Sequence, residues 1–380
     1  MKFKIEKGRI EPILSILTKV SVSKKSSFME KDSLFVEVKD GKLILKAYDG
    51  YEIYIESCMP IGDKFYEVGV ARFDSKIFSH IVKGLDGDIL VEDDDKRCTI
   101  CNRKTRIEMH SSTINKQLSN LNIAKVDSKY SEFIIKGDVL KESLEAVSVA
   151  AGKDINKPDL MNIMLECRRD LITFISTDGY RLVKIDEGCK SSESFNGKDS
   201  VLLPSTSIPL LLGFLKNKRD ICMRVGEEAI YFDLGNVKMH IRRGDHTKYP
   251  NIEKILERES GVLVDVNRSS IVRAIDQIRS VGGDLIILES GYGVDTNKMT
   301  VKSKGDLVDK RAMGCEVFLN ISKEEPLDFN IPFRTSLIYE GLKIMKSEMV
   351  RMRIKSDRDF VVIRSKEKSN MLYLVIPCIL

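Results

Sequence analysis

Short runs of alternating apolar and polar residues give way to helical spacing at three places along the chain. FKIEKGRIEPILSILTKV from Phe3, FIIKGDVLKESLEAVSVA from Phe133 and VDVNRSSIVRAIDQIRSV from Val264 each predict an alternating strand, a short polar break and a helix. The three starts are almost evenly spaced and divide the chain into thirds. Within the helices Ile10, Leu14 and Leu17 correspond to Leu140, Leu144 and Val147, and to Ile271, Ile275 and Ile278. That i, i+4, i+7 stripe buries one face and leaves the other polar.

Two further blocks repeat with the first. A strand, turn and strand occurs as LILKAYDGYEIYI around Asp49-Gly50 and again, one period later, as ITFISTDGYRLVKI around Asp178-Gly179. The third copy, MTVKSKGDLVDKRAM, lacks the Asp-Gly pair. A strand leading into a second helix occurs as VGVARFDSKIFSHIVKGL, VLLPSTSIPLLLGFLKN and FNIPFRTSLIYEGLKIMKS, the last carrying Leu337, Gly341 and Met345 along one face. Each copy then ends in short alternating strands with turn signals, as in an antiparallel meander. The expected architecture is α+β, with three repeated domains of two helices packed on antiparallel sheets: 1–127, 128–258 and 259–380. The boundaries fall where SNLNIAKVDSKYS and LERESG lose their periodicity. A period of this length is too long for a solenoid.

Composition narrows the function classes. No apolar stretch approaches the roughly 18 residues needed to cross a bilayer, and the start MKFKIEKGRIEPIL lacks a signal-peptide core, so a cytoplasmic protein is expected. Eight scattered cysteines read as reduced thiols. Cys98 and Cys101 lie three apart in an alternating strand, facing opposite sides, with no second pair to complete a zinc site. His80, His110, His240 and His246 form no HExxH or triad pattern, and no phosphate-binding glycine loop is present. The acidic run Glu92-Asp93-Asp94-Asp95 reads as a solvated hairpin loop rather than a magnesium cluster. No cofactor and no catalytic residue is expected. The net charge of +5 does not by itself indicate nucleic acid, so the placement of cations matters more than their total.

The three copies, the run FISTDGYRLVKI, the KYPNIEKIL stretch and the terminus LYLVIPCIL together resemble the bacterial sliding clamps, the DNA polymerase III beta subunits, over essentially the whole chain. The resemblance implies a head-to-tail homodimer whose six domains form a ring, with sheets outside and helices lining a DNA-sized hole. It also implies a non-catalytic role. Such a ring is placed on duplex DNA by an ATP-driven clamp loader and holds the replicative DNA polymerase and other replication and repair proteins there.

A ring that slides needs positive charge directed at the phosphate backbone and no base-specific contact. The polar helix faces and adjoining loops carry Lys19, Lys83, Lys141, Arg273, Arg279, Arg334, Lys343 and Lys346 among others. Lys24, Lys25, Arg72, Lys76, Lys153 and Lys157 are the expected DNA contacts, Lys24, Lys25 and Arg72 by match to family positions. Read without the resemblance, lysine-rich helix faces serve solubility.

The resemblance further implies a cleft for short peptide motifs between the second and third domains. Thr177, Gly179, Tyr180, Arg181 and Leu182 follow the family's Thr-Asp-Gly-[His/Tyr]-Arg-Leu run, with glycine for the turn, leucine as apolar wall and arginine closing the rim. Leu160 is a second wall residue. Pro250, Lys254 and Ile255 occupy the next family stretch, with Lys254 in place of arginine. Leu337 stands where relatives commonly carry tyrosine, and Arg358 where small or apolar residues are frequent. Ile376, Pro377, Cys378 and Leu380 match the family terminus, with Ile379 replacing a basic residue. Without the family, STDGYRL is a hairpin turn and LVIPCIL a buried last strand.

Overall fold

The three apolar stripes all lie in the core. Ile10, Leu14 and Leu17 on helix Lys7–Leu17, Leu140, Leu144 and Val147 on helix Gly137–Ser148, and Ile271, Ile275 and Ile278 on helix Arg268–Ser280 are each buried. Burying a large aliphatic side chain contributes roughly 1.5–3 kcal/mol, so each stripe fixes its helix to the sheet beneath it. The structure, a computed structural model, describes residues 1–20, 33–62, 66–94, 96–111, 129–192, 197–215, 219–244, 249–280, 282–291, 297–303, 315–367 and 370–378.

The polar break expected before each first helix is absent. Strand Lys2–Glu6 runs straight into Lys7–Leu17, Tyr130–Lys136 into Gly137–Ser148, and Val262–Asn267 into Arg268–Ser280. A helix start leaves backbone N–H groups without intrahelical partners. Here a distant carbonyl takes the first of them in every copy: Lys7 N donates to Gly87 O at 3.0 Å, Gly137 N to Arg219 O at 2.9 Å, and Arg268 N to Glu348 O at 2.9 Å. The second helices are Ser75–Gly84, Ile208–Phe214 and Thr335–Ile344. Asp74 caps the first of these, accepting from Lys76 N and Ile77 N.

Contacts group the described residues into two compact units, one of 1–141, 168–170 and 189–244, the other of 142–167, 171–188 and 245–380. In the first unit, a nine-stranded sheet joins the first copy to the second where Ile53–Pro60 pairs with Val237–Arg242, Ile55 opposite Met239. A four-stranded sheet runs in the order Lys2–Glu6, Asp88–Asp93, Arg97–Cys101, Arg106–His110. In the second unit, Leu171–Thr177, Arg181–Gly188, Met371–Val375, Val361–Ser365, Met349–Ile354 and Val262–Asn267 are successive neighbours in one sheet. Leu182 lies opposite Leu374, so the last strand of the third copy pairs with a strand of the second. The Asp-Gly turns are alike: Asp49 Oδ1 accepts from three following backbone N–H groups, Asp178 Oδ1 from two, and Gly50 and Gly179 adopt φ of +83° and +92°. No described helix is long and apolar enough to cross a membrane.

The second unit carries two ion-pair clusters on its sheet. Asp265 accepts from Arg351 at 2.7 and 2.9 Å and from Lys366 at 2.9 Å. Glu259 pairs with Arg364 and, at 3.1 Å, with Arg353. Hydrogen bonding to Arg351 holds the Asp265 carboxyl below its usual range, and the two arginines do the same for Glu259 against the opposing effect of burial. A carboxylate depressed in the folded state stabilises above its unfolded pKa, about 4, and that contribution is lost as pH falls through the folded value. The melting temperature is therefore expected to fall steeply below about pH 4, and to fall less steeply in Asp265→Asn, as circular dichroism melts down the acid range would record.

Candidate functional site

The hairpin Leu171–Thr177 to Arg181–Gly188 builds the centre of the site. Thr177 Oγ1 donates to Arg181 O at 2.6 Å and accepts from Gly179 N at 3.1 Å, closing the turn from inside. Arg181 does not close a rim as the sequence suggests. Its side chain turns inward and is buried, with Nε donating to Asp178 Oδ2 at 2.9 Å and Nη1 to Glu340 Oε2 at 2.5 Å. The reason is local and distant at once: Asp178 shares the turn, while Glu340 comes from helix Thr335–Ile344. Tyr180, the residue between, points out and is 53% exposed.

The C-terminal tail is held against this turn. Arg181 lies opposite Val375 in the sheet, after which Ile376 N donates to Tyr180 O at 3.0 Å and Cys378 N to Pro332 O at 2.8 Å. Ile376 is 42% exposed, so Tyr180 and Ile376 form neighbouring apolar surface at one sheet end. Exposed aromatic and aliphatic side chains of this kind are what peptide grooves use as anchor sites. Tyr373 anchors the strand from below: its ring is fully buried and its hydroxyl donates to Leu337 O at 2.6 Å. Burial pushes the Tyr373 phenol well up, with the Arg181 guanidinium pulling the other way, so it stays a neutral donor.

The structure brings together Thr177, Gly179, Tyr180, Arg181, Leu182, Ile376 and, through Tyr373, Leu337. Leu182 is buried. Leu160 also joins them, since its Cδ1 lies 4.0 Å from where a Cβ on Gly179 would stand. Tyr249 OH donates to Ile175 O at 3.3 Å, setting the half-buried Pro250 near the same hairpin. Lys254 is exposed and Ile255 half-buried on the short helix Ile252–Leu256, capped by Asn251. Arg358 is exposed in the turn before Val361–Ser365, and Pro377 and Cys378 are half-buried. Leu380 and Ile379 lie outside the described residues. Glu340, Tyr373 and Gly341 were not singled out for the cleft by sequence reasoning. The one signal pointing to them was a glycine inside an otherwise helical run.

Of the DNA-facing candidates, Arg72 is half-buried near the end of strand Gly69–Asp74 and Lys76 is exposed in the first turn of helix Ser75–Gly84. Lys153 and Lys157 are exposed on the loop after helix Gly137–Ser148, flanking Ile155, which is 83% exposed. Lys24 and Lys25 lie outside the described residues. In the acidic run, Asp94 Oδ1 accepts from Lys96 N and Arg97 N, the geometry of a turn, and Glu92 pairs with Lys2 at 2.6 Å. Asp95 lies outside the described residues. Among those described, no group of three or more His, Cys, Asp or Glu is placed to hold a metal ion.

The threefold order of strand, helix, hairpin, helix and meander is the fold of the DNA-clamp class. Residues 134–251 match the family model described as DNA polymerase III beta subunit, central domain. The chain is 23% identical over 324 residues to the beta sliding clamp of Synechococcus elongatus, covering 81% of each. It is 20% identical to that of Buchnera aphidicola over 392 residues, covering 99% of each. The DNA polymerase III beta subunit of Thermotoga maritima superposes with a TM-score of 0.86 at 20% identity, covering 100% of this chain and 99% of that one. The Bacillus subtilis sliding clamp gives 0.87 at 19% identity over the same shares. The chain is thus similar to DNA polymerase III beta subunits, in sequence over most of its length and in fold over all of it.

Proposed function

We propose that this chain is a DNA sliding clamp. Two copies close head to tail into a ring around duplex DNA in the cytoplasm, and the ring tethers the replicative polymerase and other replication and repair proteins without catalysing a reaction itself. The observation that supports this best is the threefold element order running the full length of the chain, shared end to end with clamp structures. Three domains per copy, near 1–127, 128–258 and 259–380, supply the six needed for a ring. Lys24, Lys25, Arg72, Lys76, Lys153 and Lys157 would hold the phosphate backbone loosely, and the Tyr180–Ile376 surface would take the anchors of partner peptides. Light scattering is expected to give a dimer. After loading by a clamp loader, the protein should stay on circular DNA and leave within seconds once the circle is cut. Equal retention on circular and linear DNA would sink the proposal.

A further inference from the structure

A cavity of about 280 Å³ lies within the second unit, between helix Gly137–Ser148 and the end of helix Thr335–Ile344. Glu142, Ser143 and Ala146, three and four positions apart, share the helix face that lines it. Ala146, Ile185, Ile344 and Met371 make up its apolar wall. Three glutamates, Glu142, Glu187 and Glu367, stand against one lysine, Lys346, so the cavity is acidic on a chain whose net charge is +5.

Its polar groups point to a ligand. Ser143 is 1% exposed, and its Oγ has no hydrogen-bond partner. A helical serine commonly returns its hydroxyl to the carbonyl one turn back, as Ser148 does on the same helix by donating to Leu144 O. Ser143 makes no such bond, so the wall keeps a buried hydroxyl able to accept from whatever enters. The protein's own lysine shows what the glutamates take: Lys346 Nζ sits 2.7 Å from Glu142 Oε2. Glu187 Oε1 accepts from Asn370 Nδ2 at 2.9 Å, and Glu367 is exposed with no ion pair among the described residues. These carboxylates do not converge on a point, since no three acidic, histidine or cysteine side chains among the described residues are placed to hold a metal ion. Acidic groups spread along an apolar wall suit positive charges spread along a hydrocarbon chain.

We propose that this cavity binds a linear alkyl polyamine, its ammonium groups on Glu367 and Glu187, its methylenes against Ile185, Ile344 and Met371, and one N–H donated to Ser143 Oγ. A hydrated divalent ion would meet the same charges but gain nothing from the apolar wall. Lys346 competes with the ligand for Glu142.

The test is calorimetric titration of the full chain, free of DNA, with spermidine at low salt, and with butylamine and magnesium chloride beside it. Spermidine is expected to bind at a single site, about tenfold tighter than butylamine, with affinity falling as salt rises. Glu367→Gln should weaken it about fivefold, and Lys346→Gln should tighten it about twofold. Ser143→Ala separates ligation from packing. Its melting temperature should hold or rise, because an unpartnered buried hydroxyl is gone, while spermidine affinity falls about threefold. Asp94→Asn, on the acidic hairpin outside the cavity, should leave binding as it is. Magnesium that displaces spermidine charge for charge would reduce the effect to general attraction and overturn the proposal. Affinity unchanged in Glu367→Gln or in Ser143→Ala would overturn it too, as would an equal loss in Asp94→Asn. So would the absence of spermidine binding to the unaltered chain.

Discussion

Gly341→Ala is expected to destabilise the protein by about 2 kcal/mol and to weaken peptide capture, although alanine is the better helix former. In the interior of helix Thr335–Ile344 the exchange alone should gain about 1 kcal/mol. The neighbour reverses the sign. A Cβ at this position would stand 2.2, 2.4 and 2.5 Å from Cε1, Cδ1 and Cζ of Tyr373. The ring has nowhere to go: Tyr373 is fully buried, lies opposite Val183 and Ile363 in the sheet, and has its hydroxyl on Leu337 O. Overpacking a fixed site costs up to about 3 kcal/mol, which outweighs the helix gain. The strain would be relieved by moving strand Met371–Val375, and with it the tail that follows. Urea melts and peptide titrations measure the two effects, and a variant as stable as the parent would show that the ring has room to shift.

That contact illustrates what could be read from sequence. The helix stripes were legible because the 3.6-residue period is local, and Ile10, Leu140 and Ile271 with their partners are buried as the period requires. The Asp-Gly turns were legible for the same reason. Features that depend on distant partners were not. The polar break expected before each first helix is replaced by a carbonyl from the far end of the same copy, that of Gly87, Arg219 or Glu348. Arg181 looked like a rim residue because Glu340, which draws it inward, is 159 positions later. The strand pairings that merge neighbouring copies, Ile55 with Met239 and Leu182 with Leu374, carry no sequence signal of their own. The surface around Tyr180 and Ile376 is therefore a product of long-range pairing laid over a short-range repeat, and the family resemblance supplied what periodicity lacked.

Removing residues 376–380 should lower affinity for a clamp-motif peptide about thirtyfold while leaving melting and dimer formation nearly unchanged. The cut belongs after Val375, because Val375 is the last residue of its strand, paired with Arg181 and Val361 and fully buried. Beyond it, the described tail is tied by two backbone hydrogen bonds, Ile376 N to Tyr180 O and Cys378 N to Pro332 O. Both donors leave with the tail; the Tyr180 carbonyl belongs to an exposed residue and meets water at small net cost, and the Pro332 carbonyl, of a buried residue, is opened to water on the side that the tail covered. The loss falls on binding instead. Ile376 forms, with Tyr180, the apolar patch on which a partner's anchor would be desolvated, and one well-placed anchor contributes about 2 kcal/mol, or roughly thirtyfold. Ile376→Ala should show part of the same loss, about a third of it in free energy, since the backbone of the tail still shields the patch. Unchanged affinity after truncation would take the tail out of the site. A broadened melt would instead make the tail a structural strap across the hairpin, and the Tyr180 turn alone would then have to bear the partner.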